Sequence, residues 1–272
     1  MSRRMSFLIC GAQKSGTSAL HQYLRRHPQI DLPLCKELHL FDNESLDWSE
    51  QGINSIDERI AHHFEIDTQH KHSGEATPNS LWWNPAMKRI WRYNPKIQLI
   101  AILRNPITRA FANWRMEQLR GRDNQNMILS LEEEEKRCRK SLPLQDRTLS
   151  YLSRGFYTEQ IKRIWRFFPR DQLLILKQEN LLTRPEETLG EIYRYLEIDQ
   201  MHFKDTMIVN SWQSLPGDSK KKLLSEPSNI PSKIPDNIYN QLIHTYKNEI
   251  KNLEDILGWD CRDWMRQKTN EA

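Results

Sequence analysis

The sequence has no apolar stretch long enough to span a bilayer as a helix. It also has no secretory core: the run Phe7–Cys10 is short and leads directly into a glycine-bearing loop. A cytoplasmic chain without a transmembrane anchor is the expectation. The four cysteines, Cys10, Cys35, Cys138 and Cys261, are widely spaced and none forms a C-x-x-C pair. A redox motif or a cysteine metal site is thereby excluded, and Cys10 reads as core packing. His62, His63, His70 and His72 lack metal-site order and read as surface residues, so no metal is expected. No internal repeat or low-complexity linker is present.

The 272 residues are 38% hydrophobic and 28% charged, which fits one folded α/β domain rather than a disordered chain. The net charge of +4 is too small and too dispersed for a nucleic-acid binder. The charge runs Glu132–Glu135 and Lys220–Lys222 read as solvated faces.

Apolar runs at Phe7–Cys10, Ile97–Leu103 and Leu173–Leu176, with Ser73–Ala76 as a fourth segment, predict short buried strands. Between them the spacing predicts helices over Thr17–Arg26, Pro85–Tyr93, Pro106–Arg120, Phe156–Phe168 and Glu186–Leu196. The alternation predicts a parallel β-sheet flanked by helices. Ligands of such sheets bind beyond the carboxyl ends of the strands, where Gly11, Glu75 and Arg104 fall. The expected organisation is a single domain over 1–272, with a core of about 5–200. A loop of about 200–235 and a final helix of about 236–258, ended by Gly258, complete it.

The stretch Phe7–Leu20, FLICGAQKSGTSAL, has the local build of a phosphate cradle: strand, glycine loop, helix. A nucleotide triphosphatase loop places lysine directly after its second glycine. Here Thr17 follows Gly16, and the lysine is Lys14, inside the loop. The cradle is kept but the cation has moved, which suits an anion other than a Mg²⁺-bound triphosphate.

GAQKSGTSAL resembles the 5′-phosphosulfate loop of sulfotransferases that use 3′-phosphoadenosine 5′-phosphosulfate (PAPS). IAILRNPITRAFANW, from Ile100 to Trp114, resembles their 3′-phosphate block, and Arg154–Leu182 resembles a later segment of the heparan-sulfate-type branch. The resemblance implies a P-loop-like sulfotransferase fold, in a soluble bacterial-type member. It implies PAPS as donor, no metal, and a glycan or small-molecule acceptor sulfated at a hydroxyl or amine. Lys14 is then assigned to the 5′-phosphate and the bridging oxygen. Gly11, Gln13, Ser15, Gly16, Thr17 and Ser18 form the cradle, and Arg104 clamps the 3′-phosphate. The alternative for Thr17 and Ser18 is helix capping, and Arg109 reads as structural.

The family's serine eight residues after that arginine is Ala112 here, followed by Asn113. One lost neutral hydrogen bond costs about 0.5–1.5 kcal/mol, and Asn113 is the candidate replacement. Cys35–Phe41, CKELHLF, resembles the stretch with the family's catalytic glutamate, so Glu37 is the candidate base and His39 the runner-up. The alternative for Glu37 is an exposed residue on a helix turn. In Ser73–Pro78, SGEATP, the position of a family lysine is Ala76, which counts against heparan-like specificity. Glu75, Trp82 and Trp83 are the candidate acceptor-side residues, with one indole expected in the core and one at the acceptor cleft. Arg154 and Tyr157 are placed near the nucleotide. Gly217, Lys220, Lys221 and Lys222 are either a loop over the nucleotide or a solvated cluster. Two other readings stay open: a P-loop nucleotide kinase or NTPase, and a non-catalytic member of the fold.

Overall fold

The computed structural model describes residues 4–64, 70–202 and 230–266. Five strands form one parallel sheet: β1 (Phe7–Gly11), β2 (Ile30–Asp31), β3 (His72–Ala76), β4 (Gln98–Leu103) and β5 (Leu173–Lys177), in the order β2-β3-β1-β4-β5. Parallel neighbours require crossover connections, and these lay helices over both faces. The two central strands are therefore apolar and buried throughout β1 and over all but the first residue of β4. Register fixes the ends: Ile9 pairs with Ala76, Gly11 with Ala101, and Leu103 with Lys177.

The described residues fall into two compact units, 4–104 with 163–202 and 105–162 with 230–266. The first carries the whole sheet with α1 (Thr17–Leu24), α2 (Glu50–Asn54), α3 (Ile56–Ile60) and α4 (Ala86–Tyr93). Its core includes Phe7, Ile9, Leu20, Ile100, Ile102, Leu176 and Tyr193.

The second unit is helical: α5 (Pro106–Leu119), α6 (Met127–Glu132), α7 (Glu134–Lys140) and most of α8 (Tyr157–Ile164). The sheet-bearing unit then resumes with α9 (Gln178–Thr183) and α10 (Pro185–Tyr195), and the helical unit ends in α11 (Asp236–Leu257). Asn105 caps α5 by accepting the Ile107 N–H at 2.9 Å, and Pro106 fills the first helical position, where no N–H is needed. Gly258, at φ 66°, ends α11 in the left-handed conformation.

The expected strands and long helices are present. The short β2, α2, α3, α6, α7 and α9 are additional, and the helix expected over Phe156–Phe168 stops at Ile164. One surface expectation is corrected. Within the run Glu132–Glu135, Glu134 is buried. Its carboxylate accepts the N–H groups of Tyr151, Leu152 and Ser153 at 2.7, 2.6 and 2.8 Å. Three amide donors offset the cost of burying a charge.

Candidate active site

Gly11 is required by close approach. A Cβ there would stand 2.5 Å from the Leu81 side chain, whose own N–H donates to the Cys10 carbonyl at 2.7 Å. The chain then leaves β1 but stays tied to the sheet, because the Ala12 N–H donates to Ile102 O at 2.9 Å. A tight turn follows, closed by Ser15 N–H to Ala12 O at 3.1 Å, with Lys14 at φ 68° and Gly16 at φ 95°. Left-handed residues in such a turn point successive N–H groups into a concavity suited to an anion.

Helix α1 starts at Thr17 with no side-chain cap, so its positive end is offered to a ligand. The Ser15 hydroxyl is fully buried in this turn and has no hydrogen-bond partner among the described residues. The Gln13 Oε1 is in the same position. An orphaned buried hydroxyl inside an anion cradle fits a phosphate-bearing donor. Arg104, one residue beyond β4, donates from a guanidinium nitrogen to the Lys14 carbonyl at 3.2 Å. It brings a second cation against the loop.

Glu37 lies on the segment after β2, at the end of the neighbouring strand. It is not on a helix turn: its φ is 66°, and that of His39 is 51°. The Glu37 N–H donates to Ala76 O at 3.1 Å and the His39 N–H to Thr77 Oγ1 at 3.2 Å. The Glu37 side chain is 40% exposed, with Lys36 Nζ at 2.5 Å and His39 Nε2 at 3.7 Å from its carboxylate. On its other side the His39 ring meets Asp42 through Nδ1, 3.0 Å from Oδ2. The buried Asp42 also accepts from Asn79 Nδ2 at 2.7 Å. Glu37 and His39, ranked as alternatives by sequence, therefore sit in one chain of side chains ending at Asp42. Behind them, burial drives His21 on α1 down to about 4, with Lys36 and Arg25 pushing the same way.

The three acceptor-side candidates are all buried, where one indole was expected in the core and the other at the cleft. Glu75 is 1% exposed, and burial pushes its carboxyl up to about 7. It accepts the Thr77 hydroxyl at 2.8 Å, so it supports the end of β3 rather than presenting itself to solvent. Trp82 and Trp83 are both buried, and the Trp83 indole N–H donates to Glu44 at 2.7 Å. Arg89 holds the same carboxylate with both guanidinium nitrogens, at 2.7 and 2.6 Å. The two indoles are packed because the turn Pro78–Ser80 folds the chain back beside β1.

The second unit holds the remaining candidates. Ala112 on α5 is partly exposed, whereas Asn113 is buried and its Oδ1 accepts from Arg109 at 3.2 Å. Its buried Nδ2, the group able to donate to a phosphate, has no hydrogen-bond partner among the described residues. Arg109 is fully buried and also donates to the Tyr151 carbonyl, in keeping with a structural role. Tyr157 is fully buried, and burial lowers Arg154 to about 9. Gly217, Lys220, Lys221 and Lys222 lie outside the described residues.

Sequence reasoning missed Asp42, Thr77 and Glu44. The three-residue spacing from His39 to Asp42 was the available signal for the first. Thr77 and Glu44 pair only through the fold.

A family model described as "Sulfotransferase domain" matches residues 4–267. The chain is 24% identical to human heparan sulfate glucosamine 3-O-sulfotransferase 6, over 93% of this chain and 72% of that protein. It is 26% identical to mouse bifunctional heparan sulfate N-deacetylase/N-sulfotransferase 3, over 99% of this chain and 32% of that protein. Among solved structures, a sulfotransferase from Alicyclobacillus acidocaldarius superposes with a TM-score of 0.77 at 23% identity, covering 97% of this chain and all of that one. A mouse sulfotransferase complexed with PAP superposes with a TM-score of 0.54 at 14% identity, covering 97% and 90%. These likenesses confirm the parallel sheet flanked by helices as the sulfotransferase fold and leave the nucleotide-kinase reading without support. The protein is an enzyme, and it belongs to the sulfotransferase domain family.

Proposed function

We propose that the chain moves a sulfuryl group from PAPS to a hydroxyl or amine of a carbohydrate or small-metabolite acceptor. The observation that carries the reading is the pairing of the Lys14 loop with Arg104 at the carboxyl ends of β1 and β4, beside a Glu37 loop bonded to the end of β3.

When bound, the donor supplies the sulfuryl group and a phosphate leaving group. The amides of Gly16, Thr17 and Ser18 at the start of α1, with the orphaned Ser15 hydroxyl, would hold its 5′-phosphate. Lys14 sets a cation where negative charge grows on the departing oxygen. Arg104 offers a planar fork to the 3′-phosphate. Glu37 takes the acceptor proton, and His39, steadied by Asp42, holds the Glu37 carboxylate from the other side. Backbone amides and two cations carry the charge, so the residues assigned to the reaction do not include metal ligands.

Support for a carbohydrate acceptor comes from the relatives that bear heparan sulfate names, and support for the nucleotide from the fold relative complexed with PAP. Ala76 weighs against a highly anionic polymer, since it adds no cation beside the base. Calorimetric titration with 3′-phosphoadenosine 5′-phosphate (PAP), adenosine 5′-phosphate and ATP with Mg²⁺ tests the donor class. Preference for PAP is the expected result; preference for ATP with Mg²⁺ overturns the reading. A screen of neutral and sulfated oligosaccharides with labelled PAPS then sorts the acceptors.

A further inference from the structure

Two backbone amides of the base loop end on one strand terminus. The Glu37 N–H donates to Ala76 O, and the His39 N–H donates to Thr77 Oγ1. Thr77 relays the last contact inward, because its hydroxyl donates to Glu75 Oε2 at 2.8 Å. Glu75 and Thr77 are 1% and 0% exposed, so water does not compete for these bonds. Glu37 and His39 both hold positive φ, a conformation that persists in ordinary residues only where the surroundings impose it.

We infer that Glu75 and Thr77 are positioning residues for the sulfuryl-transfer reaction: they hold the base loop in the left-handed conformation that presents Glu37 beside His39. Both side chains are shut off from solvent, so they act through the loop they hold. Glu75 orients Thr77, Thr77 receives the His39 amide, and the amide fixes the direction of both side chains. The inference rests on Glu37 as the base. The charged and titratable groups around Glu75 are Asp42 and His39 from the base loop and Cys10 from β1.

Thr77→Val keeps the shape but removes both the donor and the acceptor, and Thr77→Ser restores them. Glu75→Gln keeps an oxygen for the Thr77 hydroxyl, whereas Glu75→Leu does not. Two readouts need no knowledge of the acceptor: hydrogen exchange of the Glu37 and His39 amides in the free protein, and slow turnover of PAPS with water as the acceptor. PAP affinity by calorimetry controls for the Lys14 loop. In Thr77→Val the two amides should exchange faster, and PAPS turnover should fall roughly 5- to 150-fold, the range of one buried polar group left unmatched. PAP affinity should stay within about 2-fold. Thr77→Ser should recover both losses and Glu75→Gln most of them, while Glu75→Leu should follow Thr77→Val. Unchanged turnover in Thr77→Val overturns the inference, as does an equal loss of PAP affinity. Glu37→Gln turning over PAPS at the parent rate overturns instead the assignment of the base on which it rests.

Discussion

Nε2 of His39 stands 3.7 Å from Oε2 of Glu37, and the opposite ring nitrogen is 3.0 Å from Asp42. The imidazole is clasped between two carboxylates, one buried and one open to solvent. An imidazole so placed steadies the outer carboxylate and favours the orientation in which it faces a substrate.

Removing the proposed base should separate chemistry from binding. Glu37→Gln should lower kcat by about 10²- to 10⁴-fold, the usual contribution of a positioned proton acceptor. PAP affinity should be unaffected. Steady-state kinetics beside calorimetry checks both, and retained kcat refutes the assignment.

Lys14 should act on the barrier more than on the ground state. Lys14→Ala is expected to cost about 10²- to 10³-fold in kcat, the scale found when one preorganised charge-stabilising donor is lost. A variant with normal kcat and a raised KM for PAPS would show that the lysine only binds.

On the proposed reading, Arg104 should discriminate between nucleotides. Arg104→Ala should lose about 1.5–3 kcal/mol of PAP affinity, the worth of a hydrogen bond to a charged group. Affinity for adenosine 5′-phosphate should hardly change. Equal loss for both nucleotides would place the arginine elsewhere on the ligand.

Gly11 has no room for a side chain. Gly11→Ala sets a methyl group 2.5 Å from Leu81 and should destabilise the fold by about 1–3 kcal/mol. Urea denaturation at fixed pH reports the change, and an unshifted midpoint would mean that β1 and the Leu81 turn separate at little cost.

Two buried groups pull the pH dependence of stability in opposite directions. Glu75 is raised from 4.5 to about 7, so the folded chain keeps a proton that the unfolded chain has released. Its effect is a fall in stability between about pH 4.5 and 7. His21 is lowered from 6.5 to about 4, so the unfolded chain binds the proton that the folded chain refuses, and stability rises over about pH 4 to 6.5. The two largely offset one another below pH 6.5. Glu75→Gln removes one arm, and its stability should climb more steeply from pH 4.5 to 6.5 than that of the parent chain. Parallel curves from denaturant midpoints at four pH values would contradict the burial-driven shift.

The parts of the fold visible in the sequence are those with a long repeating signal. Strands β1, β4 and β5 are continuous apolar runs, and α11 shows its apolar spacing over 22 residues before Gly258. Strand β2 has two residues, too few to show any period, and helices such as α2 and α3 have five each. The tight turn after β1 was legible because glycine positions follow from backbone needs that are local. The acceptor side was not, because burial of Glu75, Trp82 and Trp83 is decided by how the Pro78–Ser80 turn packs against β1. A tryptophan pair carries no mark of which surface will cover it. The left-handed backbone at Glu37 and His39 was equally hidden, since neither residue type demands it.

The base loop is moored through its main chain, and main-chain donors survive every substitution except proline. Leu34, Cys35, Lys36 and Leu40 can therefore be exchanged without releasing the moorings of Glu37 and His39. The proposed nucleotide grip after β1 and β4 stands on different crossovers of the sheet and need not change with them. Such a layout lets descendants of one ancestor trade acceptors while inheriting the same donor, because the part that meets the variable partner is free to drift around a fixed skeleton.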